Sequence, residues 1–281
     1  MSLALSVPSP WIAMFCPAGQ NDEPVVVRHT EGLVHGFLVL RTLEGKTLAE
    51  GDLIQTADGD RVTSKLIFHF KDGSSRSETA VFSQSHNFRL LSDHLVQKGP
   101  AFKRATEMSI DASTGEVTVR YTDENAKEKV EVERLALPGN LANGLIFTLL
   151  KNIEPDATPL TTLSMVAATP KPRLVKLEVA AQGENPFSIG GPPRQATHYV
   201  VKVDLGGVAG LVAPLIGKKP PDSHVWILGG EAPAFVKFEG PLYVDGPIWR
   251  IELTNPTWRL SARDAEQIKR SPTVLPKSGR F

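Results

Sequence analysis

The strongest constraint on this chain is a period of two. Val117, Val119 and Tyr121 alternate with Glu116, Thr118 and Arg120, and Leu66, Phe68 and Phe70 recur in the same way. Val130 and Val132 likewise stand between Lys129, Glu131 and Glu133. Successive side chains of an extended chain point to opposite faces, so this pattern gives one apolar and one wet face; a helix would scatter it around its axis. Between residues 25 and 135 the runs are punctuated by Asp58-Gly59 and Asp72-Gly73, and less strongly by Glu44-Gly45 and Thr114-Gly115. Glycine reaches the positive φ that tight hairpin turns require. An antiparallel meander with one solvated face is therefore expected.

The rhythm breaks once. Leu141, Leu145, Ile146, Leu149, Leu150 and Ile153 recur at helical spacing behind Asn140, a good N-cap, and Pro155 and Pro159 follow. This predicts one main helix over 141–153, its apolar stripe against the inner face of the preceding sheet. Strands resume at 160–168 and 173–179, where Val175, Leu177 and Val179 alternate with Leu174, Lys176 and Glu178. Gly183, Gly190, Gly191, Pro192 and Pro193 make 181–194 read as a loop. Further strands are expected at 198–205, 224–228, 234–239 and 248–253, the last with Trp249, Ile251 and Leu253 on one face. The expected organisation is an N-terminal segment 1–24, a single antiparallel β domain 25–255, and a polar, basic tail 256–281.

Charge narrows the partners. Lys plus Arg and Asp plus Glu both number 31, leaving no bulk field to attract nucleic acid or an anionic membrane. Cys16 is the only cysteine, which excludes an intramolecular disulfide and a multi-cysteine metal centre. The apolar run Leu3–Ala18 has the character of a secretion-signal remnant, although no Lys or Arg precedes it. Read as a remnant, it implies a periplasmic or secreted protein; read as an ordinary N-terminus, a cytoplasmic one. No other apolar run approaches the ~20 residues of a transmembrane helix, so no transmembrane segment is expected.

Chemistry-bearing motifs are sparse. G-x-S-x-G, H-E-x-x-H, G-x-G-x-x-G and EF-hand patterns are absent, and Gly210–Lys219 has the wrong spacing for a phosphate loop. His86 and His94 would stand roughly 26 Å apart on one strand at ~3.3 Å per residue, too far to share a metal. His69, between Phe68 and Phe70, faces away from both. Ser188, before Ile189-Gly190-Gly191, reads as part of a glycine turn rather than a nucleophile. His198 and His224 open consecutive strands near Tyr199 and Asp222, the one arrangement from which a small hydrolase could be built. The apolar stretch Leu205–Ile216, followed by Lys218 and Lys219, could cap a cavity or rest on a membrane surface, or be ordinary core.

The C-terminal strands carry the text Ala196-Thr197-His198-Tyr199-Val200-Val201, His224-Val225-Trp226-Ile227, Ala234 to Leu242, and Trp249-Arg250-Ile251-Glu252-Leu253. This resembles uncharacterised bacterial envelope proteins with a lipoprotein-carrier-like (LolA-type) half-barrel. The resemblance implies a mainly β fold, a large curved antiparallel sheet wrapped around one main helix with an apolar interior. On that reading the protein is a non-enzymatic binder of an apolar or lipid-like ligand, with Phe37, Phe68, Leu145, Leu149 and Trp249 as contacts and no cofactor or metal. The alternatives are a structural or partner-binding β module with a filled core, and a hydrolase using His198, Asp222 and His224. Oligomeric state is not legible.

Overall fold

The computed structural model describes residues 23–157, 160–188, 194–204 and 220–254. The expectations for residues 1–22, for the Leu205–Ile216 stretch and for the tail 256–281 lie outside the described residues. Eight strands form the first half: β1 (Val34–Thr42), β2 (Thr47–Asp58), β3 (Arg61–Phe70), β4 (Ser75–Ser83), β5 (Arg89–Lys98), β6 (Thr106–Asp111), β7 (Glu116–Thr122) and β8 (Glu128–Arg134). A short helix α1 (Ile146–Leu150) separates them from β9 (Thr161–Ala167), β10 (Arg173–Phe187), β11 (Arg194–Asp204), β12 (Ser223–Leu228), β13 (Ala234–Pro241) and β14 (Ile248–Thr254).

All the strands belong to one sheet of 14, in the order β8 to β1, then β14 to β9, and every pairing is antiparallel. The fold is mainly β, as the alternation predicts, and the turns sit where glycine was expected. Gly45, Gly59, Gly73 and Gly115 all have positive φ. Two meanders meet where β1 pairs with β14, with Leu38 opposite Leu253 and Leu40 opposite Ile251. Strands β8 and β9 are consecutive in sequence yet occupy opposite edges, so the connection between them must cross from one edge to the other. The edges lie near each other: Lys171, in the β9–β10 turn, places Nζ 3.4 Å from Oε1 of Glu133 on β8. The sheet is therefore curled into a half-barrel-like form, with the connecting segment 135–157 in its opening.

Three expectations are corrected. The helix is five residues long rather than the whole of 141–153. Asn140 does not cap it: the Asn140 side-chain amide donates to the Thr162 carbonyl (2.9 Å), and Leu141 forms a parallel bridge to Ser164. Gly144 then takes φ +63, which a helix cannot contain. Hydrogen bonding to the β9 edge outcompetes the first helical turns. Second, β10 runs through the breaker-rich stretch to Phe187, because the register shift between Ala181 and Glu184 absorbs Gly183 at φ +99. Third, Val130 and Val132 are exposed, at 47% and 57%. The β7–β8 register sets Val132 opposite Thr118 and Val130 opposite Arg120, so both valines share the outer face of an edge strand.

The core fills the concave side. Leu145, Leu149 and Leu150 are buried there with Phe82, Phe88, Leu163 and Ile251. Phe147 of α1 stacks on Phe235 with ring centroids 4.0 Å apart. Tyr199 donates its hydroxyl proton to the Ile153 carbonyl (2.8 Å), tying β11 to the end of the helical segment. Asn143 holds the seam at the β9 edge: its amide donates to the Val166 carbonyl (3.0 Å) and its oxygen accepts the Val166 N–H (2.8 Å), as a neighbouring strand would. Asn143→Ala leaves both buried backbone groups without partners, so a loss of about 2 kcal/mol or more is expected from urea denaturation midpoints. Asn125→Ala, in the exposed β7–β8 turn, is expected to change stability by less than about 0.5 kcal/mol; equal effects would mean that Asn143 does not close the seam.

Candidate functional site

The curled sheet and the 140–151 segment enclose a cavity of about 1130 Å³. That exceeds the ~300–1,000 Å³ usual for small-molecule sites. Its lining reaches from Leu242–Gly246, near the start of β12, to Glu231–Ala234, near its end. The six residues of β12 span about 20 Å at ~3.3 Å per residue, so the cavity is elongated. The β9–β14 wall is almost wholly apolar, with Met165, Leu177, Val201, Val225, Phe238 and Leu253 facing inward. Near one end, Tyr243 joins an aromatic cluster with Phe70, Phe102 and Trp249, its ring 5.5 Å from Phe102 and 5.9 Å from Trp249.

On the opposite wall, built by β2 to β5, polar groups stand among Leu53, Leu66 and Leu95. Gln55, Ser64, Arg76, Glu78 and Gln97 all line the cavity. Arg76 and Glu78 are two residues apart on β4 and so share its inner face, where Arg76 Nη2 donates to Glu78 Oε2 at 2.8 Å. Their side chains are only 8% and 14% exposed, so this pair is largely removed from solvent screening. Gln97 Oε1 accepts a longer bond from Arg76 Nη1 at 3.4 Å. On the helical segment Lys151 pairs with Glu31, again in largely buried surroundings.

Asp93 lies farther along the inner face of β5, 1% exposed, and neither carboxyl oxygen has a well-formed hydrogen bond among the described residues. Burial pushes its pKa well above the ordinary value, the neighbouring Glu78 carboxylate adds to this, and Arg76 only partly opposes it. Gly144 packs directly over the group. A Cβ there would stand 2.8 Å from Asp93 Oδ1 and 2.5 Å from the Ala80 Cβ, so only glycine admits this approach.

A second cluster occupies the convex side. Tyr199, Val201 and Val225 point inward, which turns His198 and His224 outward. Their ring nitrogens, His198 Nε2 and His224 Nδ1, lie 2.9 Å apart. His198 stacks flat on Trp226 at 4.4 Å, and Lys237 Nζ sits 3.6 Å from the Trp226 centroid. Partial burial lowers the His198 pKa, and His224 and Lys237 lower it further against the opposing pull of Glu239. The structure thus brings the two histidines together. Asp222 makes no hydrogen bond or ion pair with either among the described residues; the carboxylate acting on His198 is Glu239. Among the described residues no group of three or more metal-ligating side chains forms.

Of the other residues singled out by sequence, Phe68, Leu145, Leu149 and Trp249 are buried in the core, at 0%, 1%, 1% and 6% exposure. Phe37 is half-buried on the outer face, its ring 4.4 Å from His35. None of the five lines the cavity. Burial and access to the cavity are different properties, and alternation reports only the first. Nothing in residue type alone singles out Arg76 and Glu78, because charged residues within a strand are ordinarily solvated. Their position was nevertheless written in the sequence: they share the parity of Ala80 and Phe82, as Asp93 shares that of Leu95.

The sequence matches no protein-family model and no curated protein. Among solved structures it is similar to a β-barrel-like protein of a domain of unknown function, DUF1849, from Brucella abortus. The TM-score is 0.42 and the identity 10%, over 81% of this chain and 100% of that one.

Two titrations are expected. Below the ordinary aspartate value of 3.8 the folded and unfolded chains both carry the Asp93 proton. Between that value and the raised folded one, only the folded chain keeps it, so rising pH costs stability. Asp93→Asn should therefore gain in urea stability relative to the parent as pH rises from about 4 toward 7; a difference that stays flat or shrinks excludes the strained carboxyl. For His198, whose folded value is lowered, the unfolded chain takes the proton first as pH falls through 6.5, so its contribution to stability declines there. NMR should show His198 titrating below 6.5 and Lys237→Met moving it back up.

Proposed function

We propose that the protein is a non-enzymatic binding protein that holds an elongated, apolar or lipid-like molecule inside the curled sheet. The observation that carries this reading is the cavity itself, about 1130 Å³ and walled on the β9–β14 side by aliphatic and aromatic side chains. An apolar molecule placed there exchanges water for apolar surface, worth about 25 cal/mol per Å² buried. The resemblance of the C-terminal strands to lipoprotein-carrier half-barrels points in the same direction. The histidine pair does not support a competing hydrolase reading: it faces away from the cavity, and Asp222 does not orient it.

Filling the cavity tests the proposal. Met165 is half-buried and its side chain lines the cavity, so Met165→Trp occupies ligand space without removing core. The parent should bind a neutral fluorescent probe such as N-phenyl-1-naphthylamine, and Met165→Trp should weaken that binding by about tenfold or more while the fold persists by circular dichroism. Phe68→Leu supplies the contrast: it cuts into the core away from the cavity, should lower the denaturation midpoint, and should leave probe affinity within about twofold. Undiminished binding by a folded Met165→Trp protein refutes the proposal.

A further inference from the structure

We infer that the cavity selects amphiphiles with an uncharged polar head, bearing hydroxyl, ester or amide groups, and rejects those ending in a carboxylate or phosphate. This rests on the binding-protein reading above and concerns the polar wall. The positive groups of the lining are already engaged. Arg76 is held by Glu78, Lys151 by Glu31 and Arg28 by Glu154, and Arg173 is engaged as well. Two rim carboxylates, Glu231 and Asp245, form no ion pair among the described residues.

An anionic head could meet a positive charge on this wall only if Arg76 turned from Glu78 toward the ligand. Glu78 would then be left largely buried beside Asp93, a second acid that already has no well-formed hydrogen bond of its own. Removing the partner of a buried charge is costly, and bringing a second negative group beside the unpaired Glu78 compounds the cost. Gln55, Ser64 and Gln97 on this wall, and Thr148 on α1 beside Gln55, can donate to or accept from a neutral head without disturbing either ion pair. The wall is therefore polar without being attractive to anions, and selectivity arises as much from the penalty on the wrong head as from bonds to the right one.

The discriminating experiment displaces N-phenyl-1-naphthylamine from the full-length protein with a monoacylglycerol and with the fatty acid of the same chain length, at a pH where the acid is ionised. The monoacylglycerol should displace the probe at a concentration about tenfold lower or more, with both competitors below their micelle-forming concentrations. Equal or better displacement by the fatty acid overturns this inference and leaves the binding-protein reading standing. Failure of the probe and of both lipids to bind overturns the reading and the inference together. Glu78→Gln, which frees Arg76, should shift the ratio about tenfold toward the fatty acid; an unchanged ratio in the folded variant shows that the Arg76–Glu78 pair does not discriminate. Should that variant fail to fold, the parent's ratio decides.

Discussion

The whole structure depends on how the edge of β9 is satisfied. A twisted sheet of 14 strands cannot stay flat, and curling brings its two edges toward one another without pairing them. An edge left open inside the opening would hold backbone donors and acceptors with neither water nor partner. The chain solves this with side chains and a single bridge. Asn140 reaches Thr162, Leu141 bridges Ser164, and Asn143 exchanges two hydrogen bonds with Val166. The same residues then determine the interior: Ala142, Asn143, Gly144 and the first turn of α1 all face the cavity. A sheet closed strand to strand would bury its inner face against itself. Filling the seam with one turn of helix holds the walls apart.

The two halves of the sheet make walls of different chemistry, and the topology explains how that is possible. The halves are separate meanders, β1 to β8 and β9 to β14, joined along the β1–β14 pair. Each can therefore vary its inward face without disturbing the register of the other. The C-terminal meander presents mainly aliphatic and aromatic groups, with Arg173 and Ser223 at strand ends. The N-terminal one places Gln55, Ser64, Arg76, Glu78 and Gln97 inward and adds Asp93 farther along the inner face of β5. Buried ion pairs of this kind contribute little net stability, and well-packed apolar residues would often serve folding better. On the proposed reading their effect is on which ligands are accepted.

Much of the fold could be read from the chain because period-two alternation is a local property. Apart from the far end of β10, the strands from β9 onward and all four glycine turns of the first meander fall within a few residues of where alternation and turn chemistry place them. The failures share a cause: they lie where long-range hydrogen bonding overrides local pattern. Leu141 and Leu145 have helical spacing, yet Asn140 and Asn143 commit the segment between them to β9, and Gly144 cannot continue a helix. Gly183 looks like a loop residue until a bulge accommodates it. Val130 and Val132 have the alternation of a half-buried strand, but the β7–β8 register turns their side to the outer face.

The candidate site was harder to read because residue type misleads where parity informs. Histidines attract attention in a sequence without motifs, yet His198 and His224 fall on the outer parity of β11 and β12 and stack against Trp226 on the convex surface. Charged residues in a strand suggest solvent, yet Arg76 and Glu78 occupy the parity of Ala80 and Phe82 and therefore face inward. In a sheet with one covered face, a polar residue in phase with the core must be paired, neutralised or in contact with a ligand. Arg76 and Glu78 meet that requirement by pairing and Asp93 by a pKa that burial shifts toward the neutral form. Gln55, Ser64 and Gln97, turned to the same cavity, remain the groups best suited to meet something brought in from outside.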